Sequence, residues 1–83
     1  MNSVELIKNR IKNARCAVLG FGVSNIPLVE ILIQCGNEIT VHDKKDVQAL
    51  GEKAIAFSKQ GVRFVTGESY LDEIDADIIF RSP

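Results

Sequence analysis

The sequence of 83 residues predicts an α/β fold in which helices flank a parallel β-sheet. Short apolar runs alternate with segments of helical periodicity, and the first apolar run ends in a Gly-x-Gly turn, Gly20–Gly22. The chain is long enough for one small domain only, which we take as residues 1–83. The composition, 46% hydrophobic and 25% charged, is that of an ordinary soluble globular protein.

The first half of the chain predicts two helices around a buried strand. Residues 3–13 carry apolar residues at spacings of three and four, as an amphipathic helix requires. Residues 16–20, CAVLG, are an unbroken apolar run bounded by a glycine turn, which is typical of a buried parallel strand. Residues 25–35 predict a helix that is apolar nearly all round, with Pro27 in its first turn and Gly36 as its left-handed C-terminal cap.

The second half of the chain continues this alternation. Three runs rich in β-branched or other apolar residues predict the remaining strands, which are 37–43, 62–67 and 77–83. Asp46 can cap one helix over 47–60, and Gly61 can end it. Residues 69–74 fit one or two helical turns capped by Ser69.

The order of these elements determines the expected topology. Strands joined by helices form right-handed βαβ units in a parallel sheet, and the expected strand order is 3-2-1-4. The first strand is then central, and the topological switch point lies between strands one and four. Rossmann-like sheets bind ligands at the carboxyl ends of their strands at this point. Three segments should converge there: Gly20–Asn25, His42–Lys45 and Arg81–Pro83.

The glycine turn after the first strand predicts an anion site. Gly20 and Gly22 allow a tight turn and close approach to a ligand, and N–H groups at the start of the next helix point to the same place. Because the net charge is only −1, an anion site must be built locally. Asn25 stands where dinucleotide-binding loops have a third glycine. Ser24 and Asn25 either cap the helix or donate to a diphosphate, and a turn without a ligand is the alternative.

An acidic residue follows the second strand at the same edge of the sheet. Asp43 can accept hydrogen bonds from a ribose, as in dinucleotide enzymes, or from an N–H group of a base. Lys44 and Lys45 follow, either to attract phosphate or as solvated side chains. His42 alternates away from Asp43 and is expected to be a packed or surface histidine. The sequence holds no recognisable nucleophile–base pair and no metal-ligand cluster, so it predicts no catalytic residue and no metal site.

Three segments of the sequence resemble the Mur ligases of peptidoglycan synthesis. They are VLGFGVSNIPLVEIL, ITVHDKK and DADIIFRSP. The first is similar to that family's first strand, loop and helix, and the second to its second strand with an acidic end. The third is similar to the family's Asp-x-apolar-apolar-x-Ser-Pro-Gly segment, broken off before the glycine. The resemblance covers the first of the family's three domains, so we expect the chain to be part of a longer protein.

The resemblance implies a ligand and a set of contacts. The ligand is the UDP part of a muramoyl substrate, UDP-N-acetylmuramoyl-L-alanine. The residues expected to receive its diphosphate are Gly22, Val23, Ser24 and Asn25. The residues expected around its uracil ring are Asp43 and Lys44, with Ser82, Pro83 and the residue after it on the other side.

The resemblance also implies an ATP-dependent ligase that uses magnesium and whose ATP loop lies outside residues 1–83. The sequence itself predicts no signal peptide and no membrane span, so we expect a cytoplasmic protein, and it predicts no nucleic-acid partner. Two alternatives stay open. One is a nicotinamide-dependent enzyme with Asp43 on the adenosine ribose, against which Asn25 and the Ser-Pro ending count. The other is a nucleotide-sensing regulatory domain of a transport protein, and the residues beyond Pro83 would distinguish all three.

Overall fold

The computed structural model of the protein describes residues 13–22, 25–72 and 74–81. Its strands are β1 (Arg15–Leu19), β2 (Glu38–Asp43), β3 (Arg63–Thr66) and β4 (Ile78–Arg81). Its helices are α1 (Ile26–Gln34), α2 (Val47–Leu50) and α3 (Glu52–Lys59). The helix predicted over 3–13 lies outside the described residues except for its last position.

All four strands form one parallel sheet of order β3-β2-β1-β4, which confirms the predicted α/β fold class and strand order. In this register Leu19 of β1 lies beside His42 of β2 on one side and Arg81 of β4 on the other. The carboxyl ends of these three strands are therefore neighbours. The topological switch point lies between β1 and β4, as the sequence predicts.

The hydrophobic core lies between the helices and one face of the sheet. Side chains alternate between the two faces of a strand, and the inward positions of the two central strands are buried: Cys16, Val18, Ile39 and Val41. Val29 and Leu32 of α1 and Phe57 of α3 pack against them. No helix within the described ranges is long and apolar enough to cross a bilayer.

The helices α1 and α3 end in the same type of glycine cap. After α1, Gly36 has a φ of 76°, and the N–H of Asn37 donates to the carbonyl of Leu32 at 3.3 Å. After α3, Gly61 has a φ of 101°, and the equivalent bond measures 3.0 Å. This is the Schellman pattern, in which a left-handed residue supports the last carbonyls of a helix. Both glycines end their helices as predicted.

The prediction of a single helix over 47–60 is wrong, because the chain forms two helices there with a break at Gly51. Asp46 caps α2 as predicted, since its carboxylate accepts the N–H of Ala49 at 2.8 Å. Gly51 has a φ of 100° and a ψ of −171°, a conformation that glycine adopts far more readily than other residues. The N–H of Gly51 donates to the carbonyl of Gln48 and closes α2 there.

The helical turns predicted over 69–74 are not a helix in the described residues, which form separate hydrogen-bonded turns instead. The N–H of Tyr70 donates to the carbonyl of Gly67 at 3.3 Å, and the N–H of Asp72 donates to that of Ser69 at 3.0 Å. Isolated bonds between residues three apart close single turns and do not propagate an α-helix.

Asp77 ties the start of β4 to the start of β1. Its carboxylate accepts the backbone N–H of Arg15 at 2.8 Å, and its own N–H donates to the carbonyl of Arg15 at 2.9 Å. The guanidinium of Arg15 also pairs with Asp75 at 2.9 Å. The backbone N–H of Arg15, followed by its guanidinium, lowers the pKa of the Asp77 carboxyl below the ordinary value of 3.8.

We expect Asp77→Asn to lower the melting temperature at neutral pH and to have less effect in acid. Because the pKa of the folded carboxyl is lowered, the group contributes stability that is present above its unfolded pKa and is lost as the pH falls through the folded value. Melting temperatures of the two proteins, followed by circular dichroism, should therefore converge below about pH 4. A difference in melting temperature that is constant across the pH range would contradict this role of Asp77.

Candidate functional site

The structure brings the predicted segments together at the carboxyl edge of the sheet. A cavity of about 270 Å³ opens there, at the switch point between β1 and β4. It is lined by Leu19, Gly20, Asp43, Lys44, Tyr70, Leu71 and Arg81. Gly22 and Asn25 belong to the turn that reaches the cavity at Gly20. The other residues predicted to bind a ligand lie outside the described ones, namely Val23, Ser24, Ser82 and Pro83.

The two glycines of the turn have different roles. Gly20 has a φ of 91° and donates its N–H to the carbonyl of His42 at 2.7 Å, so it makes the turn out of β1. Gly22 is exposed and does not have a left-handed backbone. A β-carbon placed on Gly22 would meet no heavy atom within 4 Å among the described residues beyond its chain neighbours. The space above Gly22 therefore lets a ligand approach the backbone closely.

Asn25 holds the turn closed. Only 7% of the residue is exposed, and its Nδ2 donates to the carbonyl of Gly20 at 2.7 Å. Its backbone N–H donates to the carbonyl of Gly22 at 3.0 Å, and its side chain makes no capping hydrogen bond to α1. From the sequence we expected Asn25 to cap the helix or to donate to a diphosphate, and we did not predict its hydrogen bond to the carbonyl of Gly20. The residue type could have indicated this bond, because a side-chain amide at this position can donate to a nearby backbone carbonyl.

Asp43 connects the end of β2 to the same turn. Its Oδ2 accepts the N–H of Phe21 at 2.8 Å, and its Oδ1 accepts the N–H of Lys45 at 2.9 Å. Each oxygen of this half-buried carboxylate therefore has one backbone donor. A carboxylate oxygen can accept two hydrogen bonds, so Asp43 keeps acceptor capacity toward a ligand in the cavity that it lines.

Phe21, between the two glycines, anchors the turn to the core. Its buried ring meets Phe57 of α3 and Phe64 of β3 edge to face, at centroid distances of 5.9 and 5.6 Å. Such pairs are favourable beyond the area that they bury. Together with the hydrogen bonds of Asp43 and Asn25, the ring holds Gly20 and Phe21 in place in the free protein. A site that is preformed in this way lowers the entropy cost of binding a ligand. This role of Phe21 was not predicted from the sequence, although an aromatic residue between two glycines could have indicated an anchor to the core.

His42 links the turn to the segment after β3. Its carbonyl accepts the N–H of Gly20, and its Nδ1 lies 2.8 Å from the carbonyl oxygen of Tyr70. Because a carbonyl oxygen only accepts, Nδ1 carries the proton. The residue is 4% exposed, as a packed histidine should be. Lys44 is exposed at the rim, and its carbonyl accepts the N–H of Gly67 at 3.2 Å.

A second cavity of about 320 Å³ lies along the sheet, away from the glycine turn. It is lined by Arg15, Cys16, Glu38, Thr40, His42, Arg63, Val65 and Asp75. This lining begins at the amino ends of β1 and β2 and follows the strands. Parallel α/β sheets bind their ligands beyond the carboxyl ends of the strands instead. We therefore take the cavity at the switch point as the candidate site.

A parallel sheet of this order, with a glycine turn after β1 and an acidic residue closing β2, defines a Rossmann-like α/β domain. Nearly the whole chain is similar to part of proteins named UDP-N-acetylmuramoylalanine--D-glutamate ligase. The relative from Clostridium novyi (strain NT) is 43% identical over 77 residues, and the relative from Clostridium beijerinckii is 44% identical over 77 residues. A relative from Clostridium botulinum (strain Hall) is 43% identical over the same length.

Each of these matches covers 92% of the chain but only 17% of the relative. The chain thus spans less than a fifth of the length of the curated relatives that it matches. These relatives confirm the resemblance to the Mur ligases that the three sequence segments predicted. No protein-family model matches the sequence, and no solved structure matches it.

Proposed function

We propose that the chain is the N-terminal, UDP-binding domain of a cytoplasmic UDP-N-acetylmuramoylalanine–D-glutamate ligase that acts in peptidoglycan synthesis. The names of the curated relatives support the ligase activity of the full-length protein. Their greater length supports a chain that forms one domain of a multidomain protein. The substrate that this domain holds is the UDP moiety of UDP-N-acetylmuramoyl-L-alanine.

The observation that carries the proposal is the hydrogen bond that the backbone N–H of Phe21, in the glycine turn, donates to the carboxylate of Asp43. It holds an acidic acceptor and a glycine-rich turn in a fixed relation beside one cavity. A nucleoside diphosphate presents an anion together with a base that carries N–H groups. The turn is suited to the anion, and the carboxylate is suited to a base N–H.

Two groups of residues divide the ligand between them in the proposed complex. The diphosphate lies against the turn and the start of α1, at Gly22, Val23, Ser24 and Asn25. Unpaired N–H groups in the first turn of a helix and the positive end of its dipole favour an anion there. The uracil ring lies among Asp43, Lys44, Ser82 and Pro83. Asp43 accepts from a ring N–H, and the charge of Lys44 favours the phosphates beside it.

ATP and magnesium belong to other parts of the full-length ligase in this proposal. The 83 residues contain no Gly-Lys-Thr or Gly-Lys-Ser sequence of the kind that ends an ATP-binding loop. Within the described ranges no group of three His, Cys, Asp or Glu side chains could hold a metal ion. We therefore assign no phosphoryl-transfer step to these residues, whose role is to bind and orient the substrate.

A nicotinamide-binding domain is the alternative that shares this fold. In dinucleotide-binding loops the third glycine allows the helix to pack closely against the first strand. Asn25 fills that position here with a side chain that is hydrogen-bonded to Gly20. This contact favours a ligand with one nucleotide over a dinucleotide. No specific observation favours the nucleotide-sensing domain of a transport protein.

Titration with UDP and with NAD distinguishes these functions. We expect UDP to shift the backbone amide NMR signals of residues 20–25, 43–45, 81 and 82, whereas NAD leaves them unchanged at the same concentration. ADP is the control for the base, because it carries the same diphosphate on a different ring, and it should bind more weakly than UDP. Shifts of these signals at a lower concentration of NAD than of UDP would overturn the proposal.

A further inference from the structure

The cavity at the switch point has an apolar wall that the proposed contacts do not use. Tyr70 and Leu71, in the turns after β3, line it together with Asp43. Leu71 is 48% exposed, and it is one of three large apolar side chains that are exposed among the described residues. The other two are Ile55 and Ile79, and neither lines this cavity.

A buried side chain fixes the segment that carries this wall. The Nδ1–H of His42 donates to the carbonyl of Tyr70 at 2.8 Å. The carbonyl of the same histidine accepts the N–H of Gly20 at 2.7 Å. The glycine turn and the apolar wall are therefore both attached to one residue near the end of β2, and their relative position depends on it.

We propose that Tyr70 and Leu71 form the wall on which the base of the bound nucleotide packs, and that His42 is the positioning residue for this wall. This inference rests on the proposed function and adds the connection between β3 and β4 to the site. A pyrimidine has polar edges and two less polar faces. Asp43 takes one edge, and the leucine side chain covers part of one face, which removes apolar surface from water.

Leu71→Ala in the 83-residue chain tests the wall. The dissociation constant for UDP, measured by NMR titration, should rise about three- to tenfold, because the truncated side chain covers less of the base. Ile55→Ala is the matched control. It also truncates an exposed aliphatic side chain, but Ile55 lies on α3 and does not line the cavity, so the dissociation constant for UDP should stay unchanged. Inorganic pyrophosphate, which has no base, should bind the wild type and Leu71→Ala equally.

A pair of substitutions at His42 tests its positioning role. Asparagine can place an N–H donor where the imidazole has Nδ1, whereas leucine cannot. We expect His42→Leu to weaken UDP about as much as Leu71→Ala does, and His42→Asn to restore most of the affinity. The amide spectrum of each variant shows whether the fold is retained. If His42→Leu does not fold, the comparison of His42→Asn with the wild type still tests the role, and a loss above tenfold would contradict it.

The outcomes separate this inference from the proposed function. If UDP binds the wild type and Leu71→Ala equally tightly, the wall is not part of the site, and the proposed function stands without it. If the wild type does not bind UDP, both fall. Loss of pyrophosphate affinity in Leu71→Ala would overturn the assignment of Leu71 to the base, because the substitution would then have disturbed the phosphate turn.

Discussion

Replacing Asp43 with alanine should weaken the binding of UDP by about tenfold to a hundredfold. A carboxylate that accepts a neutral N–H makes a charge-assisted hydrogen bond worth roughly 1.5–3 kcal/mol, and about 1.4 kcal/mol corresponds to a factor of ten. The substitution also removes the acceptor for the N–H of Phe21 and so loosens the glycine turn. In the full-length ligase the loss should appear mainly in KM for the UDP substrate, since a contact far from the reacting group contributes largely uniform binding.

Asp46→Ala is the matched control for this substitution. Asp46 also accepts a backbone N–H at 2.8 Å, that of Ala49, but it caps α2 and does not line the cavity. We expect this control to cost about 1 kcal/mol of stability and to leave UDP affinity unchanged. Asp43→Asn keeps one acceptor oxygen and should lose less affinity than alanine. If Asp43→Ala folds and binds UDP as the wild type does, Asp43 serves only to fasten the turn, and its assignment to the base is wrong.

Gly22→Ala should abolish most of the UDP affinity without lowering stability. The added methyl meets no described atom in the free protein, but it occupies the space through which the phosphate approaches the backbone. Losing one N–H contact to a charged oxygen costs roughly 1.5–3 kcal/mol, so the dissociation constant should rise about tenfold to a hundredfold. Isothermal titration with UDP and thermal unfolding of the same samples measure the two effects separately.

Gly36→Ala is the reciprocal control for Gly22→Ala. Gly36 has a φ of 76° in the cap of α1, so alanine there is strained and should cost about 1 kcal/mol of stability. It lies at the far end of α1 from the cavity and should leave UDP affinity unchanged. A fall in melting temperature for Gly22→Ala with unchanged affinity would mean that Gly22 is needed for folding, and the phosphate site would have to lie elsewhere.

The strand order and the position of Asp43 could be predicted because both depend on local patterns. Apolar runs of strand length, separated by helical periodicity, define βαβ units, and the handedness of these units places the strand ends at one edge. The break at Gly51 was missed because the apolar periodicity continues through it, while only the backbone conformation of one glycine interrupts the helix.

The hydrogen bonds within the site could not be predicted in the same way. Asn25 and Phe21 act through contacts to residues whose positions only the folded sheet defines, namely Gly20 in the turn and the two aromatic rings of β3 and α3. His42 was expected to be a packed or surface histidine, but its bond to Tyr70 could not be foreseen, because it joins residues 28 positions apart. Residue type shows what a side chain can donate or accept, and tertiary structure decides which partner it finds.

The central claim is that a uridine diphosphate occupies the cavity at the switch point, and a crystal structure of the chain with UDP tests it most directly. We expect the diphosphate against the backbone of Gly22 and the start of α1. A uracil N–H should lie about 2.7–3.2 Å from an oxygen of Asp43. A UDP molecule in the other cavity, beside Thr40 and Arg63, or one whose base is turned away from Asp43, would contradict the claim.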